Sequence, residues 1–259
     1  MSAWQPLQDE LSRWRAAGRL ATLWCRDDDA TRDTPALRRL FSVCGKHRIP
    51  VAVAAVPAGV EPTLADALAE CATATIVQHG YAHRNHAAPG ERNWELGWHR
   101  PLDTCIDELA RGRERLAATF GSRFVAALVP PWNRVDAAIV AALPRAGLHG
   151  LSTFGPRAAS TAAPGVTQCN SHVDVIAWRH GRGFIGAERA IALLVEHLSA
   201  RRLGDVDAAE ATGLLTHHLD MPEDAWRFVD ALFEVTARTG STRWLDVREL
   251  FPVTSARSA

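Results

Sequence analysis

Short apolar segments rich in small and β-branched residues recur along the chain, and longer stretches with helical spacing of apolar residues follow them. The apolar segments predict β-strands at 20–26, 50–56, 73–78, 124–130, 147–153, 172–178 and 212–217. The stretches between them predict helices at 35–48, 62–71, 102–120, 134–146, 187–202 and 222–239. Strands that alternate with helices are typical of a parallel α/β fold.

The domain organisation follows from the two segments that break this pattern, 79–100 and 155–171. We interpret the second, small and polar, as a surface loop because the alternation resumes directly after it. We therefore expect a single domain over 1–259, with an amphipathic N-terminal helix at 5–17 packed on it. The tail at 254–259 should fray.

Composition narrows the classes of function. The chain is 47% hydrophobic and 22% charged, which predicts a folded core. Its 29 basic residues balance 29 acidic ones, so we expect neither nucleic acid nor a membrane surface as a partner. No secretion signal or long apolar segment is recognisable, and five scattered cysteines form no CxxC pair. We therefore expect a cytoplasmic protein with reduced thiols.

Residues with chemical potential follow several of the predicted strands, at 27–29, 79–83, 130–133 and 217–218. Because the carboxyl ends of parallel strands lie at one edge of the sheet, where ligands bind, we expect these groups to meet. His79 and His83 have the spacing that brings two imidazoles to one side of a turn, which suits a divalent metal. The alternative is that they are surface or hydrogen-bonding residues.

The other strand ends each have two interpretations. The aspartate run 27–29 is either a solvated turn that caps the next helix or a metal ligand beside a general base. The segment 130–133 is either a rigid strand exit or a cleft wall in which Trp132 supplies an aromatic face and a backbone N–H. His217 is either a polar strand end or a general acid, and His218 points the other way.

These residues resemble, in order and spacing over nearly the whole chain, the motifs of the polysaccharide deacetylases, carbohydrate esterases with a NodB-like domain. The first motif is similar to residues 26–29, the second to 79–83, the third to 129–133 and the last to 215–217. The resemblance implies an α/β fold, specifically a distorted (β/α)7 barrel with parallel strands.

The resemblance also implies roles for individual residues. It makes Asp27 the general base, His217 the general acid, and Asp28, His79 and His83 the metal ligands. Substrate contacts are expected from the remaining motif residues, namely Trp132, Asn133 and Tyr81.

The chain departs from the family pattern in three places. Asp29 stands where the family has a glycine after its paired aspartates. Val129 stands where the family has an arginine beside the base, so Arg26 or Arg134 would have to supply that charge. The motif that orients the acid has no clean match, and Asp174 is the residue we favour for it.

The expected function is therefore metal-dependent hydrolysis of an N-acetyl or other N-acyl group on a small sugar or amide. Zinc is the favoured metal, with cobalt, nickel and manganese as alternatives. A homo-oligomer is compatible with the sequence. The alternative function is a catalytically silent carbohydrate- or metabolite-binding protein that retains the metal site.

Overall fold

The structure, a computed structural model, describes residues 3–178 and 181–252. Its helices are α1 (Gln5–Ala16), α2 (Pro35–His47), α3 (Pro62–Ala69), α4 (Leu102–Phe120), α5 (Ala137–Ala142), α6 (Ala187–Leu203), α7 (Glu223–Arg238) and α8 (Val247–Leu250). Its strands are β1 (Ala21–Ala30), β2 (Val51–Ala55), β3 (Ala74–His79), β4 (Phe124–Val129), β5 (Gly150–Leu151), β6 (Thr161–Ala163), β7 (Val166–Gln168), β8 (Val173–Asp174), β9 (Ile176–Ala177), β10 (Gly183–Phe184), β11 (Thr212–Thr216) and β12 (Thr242–Trp244). Within the described ranges, no helix combines the length and apolarity that crossing a membrane requires.

The main sheet is curled and almost entirely parallel. Its strands follow the order β6-β7-β5-β4-β3-β2-β1-β11-β8, and β12 pairs with β1. The hairpin of β6 and β7 is the antiparallel element of this sheet. This architecture, with helices packed outside the strands, confirms the predicted distorted parallel barrel.

A short connection between β7 and β8, residues 169–172, joins the two edges of the curled sheet. The amide N–H of Ser171 donates to the carbonyl of Thr153, beyond the end of β5, at 3.0 Å. One residue later, the N–H of His172 donates to the carbonyl of Gly213 in β11 at 2.7 Å. The chain therefore crosses from one edge of the sheet to the other within two residues.

The side chains of β1 alternate between two environments, as the pleat of a strand requires. Leu23 and Cys25 face outward into the apolar layer formed with the helices. Trp24 faces inward, where it packs on small side chains such as Ala52 and Ala127. The charged residues of the same strand continue this alternation, so that Arg26 and Asp28 share the inner face with Trp24.

Three predicted elements differ from the structure for identifiable reasons. The helix predicted at 134–146 stops at Ala142 and continues as a 3-10 turn, because Pro144 cannot donate a helical hydrogen bond. The segment 155–171 contains a hairpin whose turn is Pro164-Gly165, with Gly165 at φ 78°. The strand predicted at 172–178 is divided into β8 and β9.

Other elements agree closely with the sequence prediction. The predicted helix 102–120 is α4, and the predicted helix 5–17 is α1. The Trp14 indole N–H of α1 donates to the Leu198 carbonyl of α6 at 3.2 Å, which holds α1 against the barrel. The predicted frayed tail, 254–259, lies outside the described residues.

Gly213 offers a test of the barrel closure. A Cβ at this position would lie 2.5 Å from Trp24 Nε1 and 2.6 Å from the Asn170 carbonyl oxygen. We expect Gly213→Ala to lower the free energy of unfolding by about 1–3 kcal/mol, because it overpacks the junction of β11 with the connecting segment. Equilibrium urea denaturation measures this change.

The matched control is Gly45→Ala in α2, where an added Cβ meets nothing within 4 Å. Since alanine favours a helix interior, this variant should be unchanged or more stable by up to about 1 kcal/mol. Equal losses in both variants would contradict the proposed crowding at Gly213.

Candidate functional site

A buried ion pair stands at the carboxyl end of β1. The Arg26 guanidinium approaches both oxygens of the Asp28 carboxylate, at 2.9 Å from Nε to Oδ1 and 3.1 Å from Nη2 to Oδ2. It also donates to the Asn133 side-chain oxygen at 2.7 Å and to the Ser152 hydroxyl at 2.8 Å. This two-point contact fixes the orientation of the carboxylate as well as its charge. Of the two arginines considered from the sequence, Arg26 is the one that the structure places against an aspartate of the run.

The next residue, Asp29, lies between the two histidines of the second motif. Its Oδ1 is 3.2 Å from Nε2 of His79 and 3.2 Å from Nε2 of His83. A left-handed backbone at Asp29, with φ 76°, turns this side chain toward the cleft although it follows the inward-facing Asp28 directly.

The donor set formed by Asp29, His79 and His83 suits a divalent metal ion. The Nδ1 of His79 lies 3.0 Å from the Val129 carbonyl, which can only accept a hydrogen bond, so Nδ1 carries the proton. Nε2 is then the ring nitrogen that faces Asp29, and in the neutral ring its lone pair is available to a metal ion bound there. Such a backbone contact on the far ring nitrogen is usual for a metal-binding histidine.

His217 completes this group of residues from β11. Its Nδ1 is 3.6 Å from Oδ2 of Asp29, and its Nε2 is 3.5 Å from Oδ2 of Asp174. Asp174 is itself held by the Trp178 indole N–H at 2.8 Å and by the Ile176 amide at 2.9 Å. The structure thus places Asp174 where the sequence analysis expected a residue that orients His217.

The electrostatics of the site favour a charged His217. Burial opposes its protonation, but the contacts with Asp174 and Asp29 outweigh burial and raise the pKa of His217 to about 10. Burial alone would raise the pKa of Asp29, but the neighbouring imidazoles of His217, His79 and His83 hold that pKa far below its ordinary value. For His83, burial and the neighbouring His79 lower the pKa.

Asp27 faces away from the site. Its side chain is fully buried, and it accepts hydrogen bonds from the Thr216 hydroxyl at 2.7 Å, the His218 amide at 3.0 Å and the His218 ring. It does not belong to the described residues that line the cleft, whereas Asp28 and Asp29 do. The sequence analysis assigned the base to Asp27 and the metal carboxylate to Asp28. In the structure, Asp28 has the surroundings expected for the base and Asp29 those expected for the metal carboxylate. Each assignment therefore moves one residue later.

The loop that carries His79 and His83 is organised by a residue that sequence reasoning missed. The buried Glu95 carboxylate accepts from the backbone amides of Tyr81 at 3.2 Å and Ala82 at 2.7 Å. Gly80 makes this close approach possible, since a Cβ there would lie 2.0 Å from Glu95 Oε2. In the sequence, Gly80 is the one sign that another group approaches this loop closely.

A cleft of about 1180 Å³ opens above these residues. The aromatic side chains that line it are Phe154, Phe184, Trp132 and Trp178. Trp132 packs on the His83 ring at 4.5 Å between centroids, and both Trp132 and Asn133 have φ 56°, a strained conformation that occurs at functional sites.

The cleft contains two of the three residues predicted to contact substrate. Trp132 and Asn133 line it, although the Asn133 oxygen is engaged by Arg26. Tyr81 is not one of the described lining residues, and the Arg111 guanidinium lies 5.5 Å from the centre of its ring.

A second group, His172, His197 and Glu210, lies near the opposite end of β11 and also satisfies the spacing for a metal. Here the two rings are stacked, 3.4 Å between centroids and 19° between planes. The lone pairs of stacked imidazoles lie in nearly parallel planes and do not converge on one ion. The His79 and His83 rings are 5.1 Å apart and inclined at 47°, which allows convergence. The cleft group is therefore the better metal site.

Several solved structures share this architecture. No protein-family model and no curated protein matches the sequence. The structure is similar to a candidate polysaccharide deacetylase from Mycobacterium smegmatis, with a TM-score of 0.64 and 14% identity over 90% of this chain and 89% of that one. It is similar to a family 4 acetyl xylan esterase from Clostridium thermocellum in complex with a cobalt ion, with a TM-score of 0.52 and 12% identity over 89% and 90%.

A further similar structure is a mutant, with restored enzymatic activity, of a pseudoenzyme from carbohydrate esterase family 4. Its TM-score is 0.57 and its identity 13%, over 90% of this chain and 68% of that one. At these identities the similarity establishes the fold, which is that of the polysaccharide deacetylases.

Asp27 can be tested through stability. Asp27→Asn leaves the His218 ring and the Thr216 hydroxyl without the buried charge they face, and breaking a buried pair costs about 3–5 kcal/mol. We expect a loss of that size in urea denaturation. Asp66→Asn, at an exposed position in α3, is the control and should change stability by less than about 0.5 kcal/mol. Equal stability of Asp27→Asn and wild type would contradict a buried structural pair.

The stacked histidines predict a pH dependence of stability. Burial, reinforced by His172 and Arg201, lowers the pKa of His197 from 6.5 to about 2. Below pH 6.5 the unfolded chain binds a proton at this residue that the folded chain does not, so acid favours unfolding by about 1.4 kcal/mol per pH unit.

Urea denaturation at a series of pH values should therefore give a shallower acid slope for His197→Gln than for wild type. His149→Gln removes an exposed histidine instead and should leave the slope as in wild type. An unchanged slope in His197→Gln would show that His197 is not the titrating group.

Proposed function

We propose that this protein, which has the fold of the polysaccharide deacetylases, is a metal-dependent hydrolase that removes an N-acyl group, N-acetyl in the simplest case, from a small sugar or amide. The observation that carries the proposal is the convergence, in one cleft, of a charge-paired carboxylate, a three-residue donor set and a buried histidine. These are Asp28, the group Asp29, His79 and His83, and His217.

The metal ligands in this proposal are Asp29, His79 and His83. Two imidazole nitrogens and one carboxylate oxygen suit zinc, and they also accept cobalt, nickel or manganese. When bound, such a cation polarises the acyl carbonyl and acidifies water in the site. Glu95 and Gly80 act as positioning residues, because they shape the loop that holds both histidines toward Asp29.

Asp28 is the proposed general base. It lines the cleft next to Asp29, and its negative charge is balanced by Arg26, which also prevents the carboxylate from rotating. Arg26 thus supplies the charge that the family draws from its third motif, where this chain has Val129. In the reaction Asp28 accepts a proton from the water whose oxygen attacks the acyl carbon.

His217 is the proposed general acid. The contact with Asp174 sets its orientation and favours its protonated form. As the carbon–nitrogen bond breaks, His217 gives its proton to the leaving amine, so the products are a carboxylic acid and an amine. The Trp132 backbone N–H, in its strained turn, is a candidate donor to the oxyanion, a kind of contact worth about 3–4 kcal/mol in other enzymes.

A second candidate is a catalytically silent protein that binds an acylated ligand through the same residues. A pseudoenzyme with this fold is one of the similar structures, which shows that the fold occurs without native turnover. The two candidates agree on the metal and differ on hydrolysis.

Three aspartate variants test the assignment. We expect Asp29→Ala to lose the bound metal, because it removes the only carboxylate of the donor set. We expect Asp28→Asn to keep one equivalent of metal and to lose at least about 100-fold in kcat, because the base is gone. Elemental analysis of the purified variants and acetate release from a panel of N-acetylated sugars and amines measure the two properties.

Asp27→Asn distinguishes the one-residue alternatives. If a folded Asp27→Asn lost turnover while Asp28→Asn kept it, Asp27 would be the base. Absence of metal from the wild-type protein after reconstitution would contradict the metal-dependent mechanism. One equivalent of metal without hydrolysis of any substrate in the panel would favour the silent binding protein.

A further inference from the structure

Two arginines that line the cleft have no part in the proposed chemistry. Arg182 lies in the turn between β9 and β10, and Arg189 lies in the first turn of α6. Both side chains line the cleft and are exposed to solvent. The same cleft contains Trp178, which packs edge-on against His217 at 4.7 Å between ring centroids, so the arginines belong to the cleft of the proposed acid.

The charges of these arginines are poorly matched by the protein. In the part of the chain that the structure describes, no hydrogen bond or ion pair involves the Arg189 side chain. The Arg182 guanidinium lies over the Trp178 ring, 5.7 Å from its centre, a cation–π contact that leaves the N–H groups free to bind a ligand.

The carboxylates of the cleft offer little compensation. Asp28 is paired with Arg26, Asp29 lies among the histidines, and Asp174 faces the His217 ring at 3.5 Å. Asp220 is the remaining acidic side chain among the described lining residues. Arg182 and Arg189 outnumber this carboxylate, so this part of the cleft favours an anion.

We propose that Arg182 and Arg189 form an anion-binding subsite, and that the substrate is an N-acylated amine or sugar that carries a carboxylate or phosphate group away from its acyl group. The inference rests on the proposed function for the position of the acyl group, but the binding of the anion does not require turnover. A guanidinium presents parallel N–H donors that match both carboxylate and phosphate oxygens.

Aromatic side chains in the same cleft suit the part of the substrate that joins its two polar groups. Trp178 and Phe184 line the cleft with the arginines and offer apolar faces to a sugar ring or carbon chain. Since the subsite is open to solvent, its electrostatic contribution should weaken as salt rises.

Binding measurements on the metal-loaded Asp28→Asn protein test the subsite without consuming the ligand. The probes are N-acetylglucosamine, which is neutral, N-acetylglucosamine 6-phosphate and N-acetylmuramic acid, and isothermal titration calorimetry gives each Kd. We expect at least one anionic probe to bind about tenfold more tightly than the neutral probe, as one or two charge-assisted hydrogen bonds imply. The probe that binds better identifies phosphate or carboxylate as the preferred anion.

The double substitution Arg182→Gln and Arg189→Gln should reduce the affinity of the anionic probe to that of the neutral one and leave the neutral Kd unchanged. The matched control, Arg15→Gln with Arg227→Gln, removes two charges from exposed positions on α1 and α7, outside the cleft lining, and should preserve the preference. Equal binding of neutral and anionic probes, no binding of either anionic probe, or a preference that survives the double substitution would overturn the proposal.

The same experiment separates this inference from the proposed function. An arginine-dependent preference in a protein that hydrolyses none of the N-acetylated compounds would support the subsite and contradict the hydrolase. Hydrolysis by the wild-type protein, with no preference for anionic probes, would support the hydrolase and overturn the subsite.

Discussion

The site depends on one guanidinium buried inside the barrel. Arg26 joins three parts of the chain that are distant in sequence, since it contacts Asp28 at the end of β1, Asn133 in the turn after β4 and Ser152 after β5. A buried charge is tolerable only when it is paired and its donors are occupied. The same hydrogen bonds that satisfy the arginine therefore hold the base, the cleft wall and the far side of the barrel in fixed relation.

Much of this arrangement could be predicted from the sequence, because parallel strands deliver their last residues to one edge. The positions of the strands were enough to predict that residues 27–29, 79–83 and 217 converge. The assignment within the aspartate run needed the side-chain alternation as well. The pleat places Arg26 and Asp28 on one face of β1 and Asp27 on the other. Because Arg26 and Asp27 are both charged, their type does not reveal which face is the inner one, and that choice needed the structure.

Other features were beyond the sequence for physical reasons. Asp29 has a left-handed backbone although it is not a glycine, so the sequence does not indicate this conformation. The conformation allows two successive aspartates to point into the cleft. Glu95 acts through backbone amides of a loop more than ten residues earlier, and Glu91 in the same irregular segment looks equivalent by sequence. The hairpin of β6 and β7 could not be recognised because each strand has three residues, too few for an alternating pattern. Each of these features depends on contacts between segments, which local patterns do not encode.

The closure of the barrel by residues 169–172 has a consequence for how such a cleft can vary. When a barrel is closed by two paired strands, the hydrogen bonds between them fix the distance between those strands, so this distance cannot change gradually. Here the closing element is a covalent crossing whose amides also donate to both sides, at Thr153 and Gly213. The length of this crossing therefore limits how far the two sides of the barrel can stand apart. The strand ends that carry Asp28, Asp29 and His79 lie on β1 and β3, away from that limit.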